Sequence, residues 1–235
     1  MYGNTNQITL TQARQEASTI FLAKVFNWMA IGLGLTGIVA YLTASSGIAM
    51  QIVSSPMLMV LVLVELGMVF FLSARVDKLQ ASTATGLFIG YAVLNGVTLS
   101  TIFLAYTRSS IAGTFFITAA MFGAMAVYGL VTKRDLSGFG SFLFMGLIGI
   151  LVASLVNMFF QSSAMSWVIS MVGVLVFTGL TAYDVQRIKA IGEQGIMTQG
   201  EEMVRKGSIM GALALYLDFI NLFLMMLRFF GGSRD

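Results

Sequence analysis

The chain has 235 residues, of which 57% are hydrophobic and only 10% charged, where an ordinary soluble domain carries roughly 25% charge. With a mean hydropathy of +0.89, this is the composition of a polytopic membrane protein. The net charge of +3 comes without a basic patch interleaved with aromatics, so no nucleic-acid partner is expected, and the absence of cysteine and histidine excludes disulfides, thiolate zinc sites, cysteine nucleophiles and histidine bases.

Residues 1–23 are polar and then amphipathic. They read as a short flexible N-terminal cytoplasmic segment leading into an interfacial helix, and no cleavable signal peptide is evident. Residues 24–231 read as a single seven-helix membrane domain, and 232–235 as a short tail. Val25 to Val64 carries no charge, which allows two crossings of about 20 residues each. The turn-rich TASSGIAMQIVSSP splits them, with Ser55 and Pro56 as an N-cap and first helical residue. Segments 1 and 2 are therefore placed at 25–43 and 56–74. Uncharged stretches broken by Arg108, by Lys133-Arg134-Asp135 and by SSAMS give segment 3 at 84–106, segment 4 at 110–131, segment 5 at 139–160 and segment 6 at 165–185. A polar linker, 186–206, precedes segment 7 at 207–227.

Basic residues fix an orientation. With the N-terminus in the cytoplasm, Arg14, Lys24, Arg75, Lys78, Lys133, Arg134, Arg187, Lys189, Arg205 and Lys206 all fall on the cytoplasmic side, and only Arg108 falls in an opposite loop. Arg228 and Arg234 follow segment 7 and resist its full crossing, so a re-entrant segment stands beside a spanning one.

Gly32-Leu-Gly34-Leu-Thr-Gly37 matches a dinucleotide-binding spacing, but it lies inside an uninterrupted apolar segment instead of between a strand and a helix. It reads as close helix packing, as do the pairs Gly86/Gly90 and Gly207/Gly211.

The informative residues are acids. Asp218 sits in the middle of segment 7, where an isolated carboxylate costs at least about 2.5 kcal/mol on insertion scales. Glu65 sits at the middle of segment 2, and is either a hydrogen-bonded acid inside the bundle or a residue on an ion path. Arg75 is either an interfacial anchor or a counter-charge. Asp184, at the cytoplasmic end of segment 6, gains meaning beside Asp218, because two close carboxylates in a low-dielectric site do not both ionise easily and form a proton sensor. That meeting is not free: counted from Gly207, Asp218 lies roughly 16 Å deep. Segment 6 must end deeper, or segment 7 start lower, than hydropathy suggests.

The stretches GLTAYDVQRIK at 179–189, GALALYLDFINLFLMMLRFFG at 211–231 and TKRDLSGFGSFLFMGLIGI at 132–150 resemble the bacterial branch of the Bax inhibitor-1 family. The resemblance implies an all-α membrane protein, a seven-transmembrane-helix bundle with helix 7 central. It also implies a pH-sensitive calcium leak gated by Asp184 and Asp218, with Arg75 as their counter-charge. Calcium would then be the transported ion, with no cofactor, and an oxygen-only ligand set (Asp184, Asp218, Glu65) suits it. The partners expected are calcium ions, protons and the bilayer, in a bacterial inner membrane. The alternative is a non-conducting regulator that binds a membrane protease or stress-response protein. An intramembrane aspartic protease would also pair two acids, but neither aspartate lies in a Gly-x-Gly-Asp context, so no enzyme is expected.

Overall fold

The computed structural model describes the backbone of residues 3–232 and the side chains of 12–232 other than Asp77. Among the described residues all regular structure is helical: α1 (Gly3–Ser45), α2 (Ile48–Val53), α3 (Met57–Arg75), α4 (Ala81–Leu99), α5 (Ile102–Ala105), α6 (Arg108–Val131), α7 (Ser137–Phe160), α8 (Ser163–Glu193) and α9 (Glu201–Phe230), with 3-10 turns at Val76–Lys78 and Ile196–Thr198. Seven stretches are long and apolar enough to cross a membrane, with α4 and α5 together forming one of them. The protein is an all-α, seven-helix membrane protein.

The breaks fall where backbone chemistry permits them. Gly47, Gly195 and Gly200 adopt φ values of 80, 92 and 91°, the left-handed region in which glycine carries no Cβ penalty. Pro56, expected as the first helical residue, takes the N-cap position of α3, with Ser55 one residue earlier accepting from the Met57 N–H at 3.3 Å, and Thr107 Oγ1 accepts from Ser110 N to open α6.

Two expectations change. The polar N-terminal segment is no loose tail, because α1 runs unbroken from Gly3. The 186–206 linker largely disappears, because α8 continues to Glu193 and α9 begins at Glu201. Hydropathy reports where the bilayer core ends. Helices continue past it when their polar turns are hydrogen-bonded and packed, as Ser18 of α1 is on the Lys189 carbonyl of α8. The short tail expected at 232–235 lies, apart from Gly232, outside the described residues.

The chain forms two compact units, one from the chain up to Leu104 with Arg187–Ala214, the other from Ala105–Gln186 with the chain from Leu215 onward. In the first, α1 packs so closely on α4 that a Cβ on Gly96 would come within 2.7 Å of the Thr36 carbonyl, and Thr36 Oγ1 donates to the Ala92 carbonyl at 2.8 Å. Phe21 and Val25 of α1 are buried against Gly207 and Gly211 of α9. Ser18 Oγ donates to the Lys189 carbonyl at 3.0 Å, Arg205 Nε to Thr85 Oγ1 at 3.1 Å, and Lys206 Nζ to the Leu79 carbonyl at 3.0 Å. In the second, Phe115 and Phe122 of α6 meet Phe219 of α9 edge-on, with ring centroids 5.4 and 5.5 Å apart. The start of α6 also holds the end of α9: Thr107 N donates to the Gly232 carbonyl at 3.3 Å, and Gly232 N to Ser110 Oγ at 2.8 Å.

The apolar window of α9 is 67% buried, against 11–39% in the other six. Of the predicted small-residue contacts, Gly207 and Gly211 are close approaches. A methyl group placed on Gly34, Gly37 or Gly86 would meet nothing within 4 Å, and one on Gly90 only Met68 at an ordinary 3.8 Å. The tight crossings fall instead at glycines with no local spacing signal, among them Gly96, Gly129 and Gly192.

Candidate functional site

Asp218 is 4% exposed, lies close enough to the Asp184 carboxyl for the two to interact, and has an Oδ2 without a hydrogen-bond partner. Two carboxyl groups in such contact can bond to one another only when one of them carries a proton. The depth problem posed by the sequence is resolved by register. Helices α8 and α9 are antiparallel neighbours, with Ile188 near Gly211 and Gly173 against Met225. Between those contacts Asp184 falls level with Leu215, which leaves Asp218 about 4.5 Å further along at about 1.5 Å per residue. Both helices outrun their apolar windows, so neither acid sits at an end.

Asp184 points at α9 because its neighbours point elsewhere. Successive helical residues turn by about 100°. A Cβ on Gly129 of α6 would run into the Ala182 carbonyl, and one on Gly140 of α7 into the Tyr183 ring. Ala182, Tyr183 and Asp184 thus address α6, α7 and α9 in turn.

Glu65 and Arg75 belong to the other unit. Glu65 is 8% exposed, and both its oxygens are engaged by α4: Oε2 accepts from Asn95 Nδ2 at 3.1 Å and Oε1 from Thr98 Oγ1 at 2.5 Å. Arg75 is exposed in the last turn of α3, where a cation also complements the helix C-terminus. Among the described residues no three His, Cys, Asp or Glu side chains converge as a metal site. The residues that sequence reading missed are the polar partners: Asn95 and Thr98 of Glu65, and Gln186, whose amide bridges to the connection between α6 and α7. Their separations of 30 to 52 positions leave no local signal.

Residues 19–235 match the family described as inhibitor of apoptosis-promoting Bax1. The chain belongs to this family, Bax inhibitor-1. It is 51% identical to the inner membrane protein YbhL of Escherichia coli K12 over 228 residues, covering 96% of this chain and 97% of that protein. It is 47% identical to an uncharacterized protein of Borreliella burgdorferi over 232 residues, 97% and 99% of the two chains. An uncharacterized membrane protein of Streptococcus pyogenes, SpyM3_0260, is 41% identical over 218 residues, 91% and 93% of the two. With seven apolar helices and these relatives, this Bax inhibitor-1 member is a multi-pass inner-membrane protein.

Proposed function

We propose that this Bax inhibitor-1 member is a pH-sensitive calcium leak in which Asp184 and Asp218 form the proton-sensing gate. The observation that carries the reading is the carboxyl pair itself: Asp218, 4% exposed, faces the Asp184 carboxyl and keeps one oxygen without a hydrogen-bond partner. An acid as buried as Asp218 is costly to keep in a membrane. Proton exchange at the pair changes its charge and therefore the attraction between α8 and α9, which supplies a two-state element. Oxygen-only chemistry suits calcium better than softer metals. Asp184 is the charged group that faces Asp218. In this reading Arg75 serves as a cytoplasmic counter-charge, Glu65 is a residue of the ion path and α9 is the central helix, the last supported by its burial.

The test is calcium entry into dye-loaded proteoliposomes between about pH 6 and 8, wild type against Asp218→Asn. The expected result is a pH-dependent flux that the substitution flattens. An unchanged pH profile in the variant removes the sensor role.

A second reading, a regulator that binds a membrane protease or stress-response protein, is favoured by one observation: α1 is one continuous helix of 43 residues, Gly3–Ser45, about twice the length that a crossing takes. Removing the residues before Gln12 leaves Ser18 and Phe21 in place. On this reading the truncation abolishes a partner-dependent phenotype and leaves flux intact; a truncation without phenotype counts against it.

A further inference from the structure

Gln186, two residues past Asp184, makes a two-bond bracket to the main chain of the connection between α6 and α7. Its Nε2 donates to the Arg134 carbonyl at 2.8 Å, and its Oε1 accepts from Leu136 N at 2.9 Å. The bracketed strand of chain is built to be held. Leu136 is buried at 9% exposure, Asp135 Oδ1 accepts from Ser137 N at 2.8 Å, and α7 starts at Ser137. The direction of Gln186 follows from the helical turn. Taking Ala182, which addresses α6, as zero, Tyr183 lies about 100° round and addresses α7, and Gln186 lies about 40° round and one turn further on. It therefore points between the two helices, at the segment that joins them.

We propose that Gln186 is a positioning residue for the aspartate pair: its bracket to Arg134 and Leu136 fixes the rotation of α8 about its axis, and that rotation aims Asp184 at Asp218. Three contacts on the far side of α8 act together. The Gly129 approach to Ala182 and the Gly140 approach to Tyr183 limit how close α6 and α7 come. Both are close packing contacts that glycine's missing Cβ allows, and they set how near α8 lies to α6 and α7 without a directional bond. The Gln186 amide adds the directional member, two hydrogen bonds that fix how α8 is turned against α6 and α7. Without it α8 turns or withdraws, and Asp184, on the remaining side of the helix, loses its alignment. The same bracket leaves the exposed side chains of Lys133 and Arg134 anchored beside this end of α8. The proposal deepens the leak reading and rests on it only for its functional consequence, since the positioning itself can be read without flux.

The chain has no cysteine, so a cysteine pair reports geometry cleanly. Asp184→Cys and Asp218→Cys are introduced together in the full chain, in membranes, and the rate of disulfide formation under a mild oxidant is compared with the same pair carrying Gln186→Leu. The expected result is a fall of about tenfold, the equivalent of about 1.4 kcal/mol, which is the net worth of one to two hydrogen bonds. An unchanged rate overturns the proposal. Gln186→Glu, which keeps an acceptor for Leu136 N but loses the donor to the Arg134 carbonyl, is the second variant should Gln186→Leu not yield folded protein: it too slows cross-linking, and an unchanged rate overturns the proposal. In the aspartate-containing protein Gln186→Leu also changes the pH profile of calcium flux. Cross-linking that depends on Gln186 in a protein with no flux at any pH refutes the leak and leaves the positioning role standing.

Discussion

Glu65→Leu separates a structural acid from a functional one. Glu65 lies eight residues into α3, about 12 Å from its start at about 1.5 Å per residue, so it is far from either water interface. Its two oxygens receive one bond each from Asn95 and Thr98. Interhelical hydrogen bonds in membranes average about 0.6 kcal/mol each and reach about 1.7, so the lost pair costs about 1.2 and at most about 3.4 kcal/mol. Leucine relieves the desolvation of a buried carboxyl but takes away the acceptor of Asn95 and Thr98, and Asn95 is only 6% exposed, so the loss outweighs the relief. Glu65→Gln keeps an acceptor for Asn95, while Thr98 can turn its hydroxyl to accept, so it costs well under about 1 kcal/mol. The assay is reversible unfolding in mixed micelles, with both variants measured against wild type. A Glu65→Leu protein as stable as wild type, or more so, refutes the reasoning: the acid is then retained against stability, as a path residue would be.

Gly129→Ala places a methyl against the Ala182 carbonyl, a backbone atom that cannot swing away; it lowers stability by about 1–3 kcal/mol, whereas Gly34→Ala, with nothing within 4 Å, is neutral or slightly stabilising, both read by thermal unfolding in detergent. Lys206 is only 12% exposed and ties the start of α9 to the Leu79 carbonyl and, at 3.6 Å, to Glu202; Lys206→Met costs about 1 kcal/mol and speeds hydrogen exchange at the amides of Val76 to Gln80. Bonds from Ser137 hold the Asp135 carboxyl below the 3.8 of an ordinary aspartate. A depressed folded-state value contributes stability above the unfolded pKa that is lost as pH falls through the folded one, so Asp135 titrates below 3.8 by carbon NMR, and Asp135→Asn leaves the flux profile near neutral pH unchanged.

The amino-acid sequence by itself determined the class of protein. Uncharged stretches such as Val25 to Val64 and Leu136 to Tyr183 can satisfy their backbone in a bilayer only as helices, and their number and the breaks at Gly47, Arg108 and Lys133 to Ser137 are written in local chemistry. Asp218 and Glu65 were legible as anomalies for the same reason: a charge inside an apolar window stands out without any knowledge of its neighbours. What each acid meets was decided by the tertiary structure alone. Hydropathy stops at the edge of the apolar core, so it could not tell that α8 runs on to Glu193 or that α9 begins at Glu201, and the antiparallel register of these longer helices leaves Asp184 only about one helical turn from Asp218. Nor could local spacing show that Glu65 is held by Asn95 and Thr98, that Gly129 rather than Gly86 makes a tight crossing, or that Gln186 reaches back to Arg134 and Leu136. Such partners lie tens of residues apart, and which side chain faces which is set by the rotation and register of packed helices, quantities that a one-dimensional pattern of apolar and polar residues does not contain.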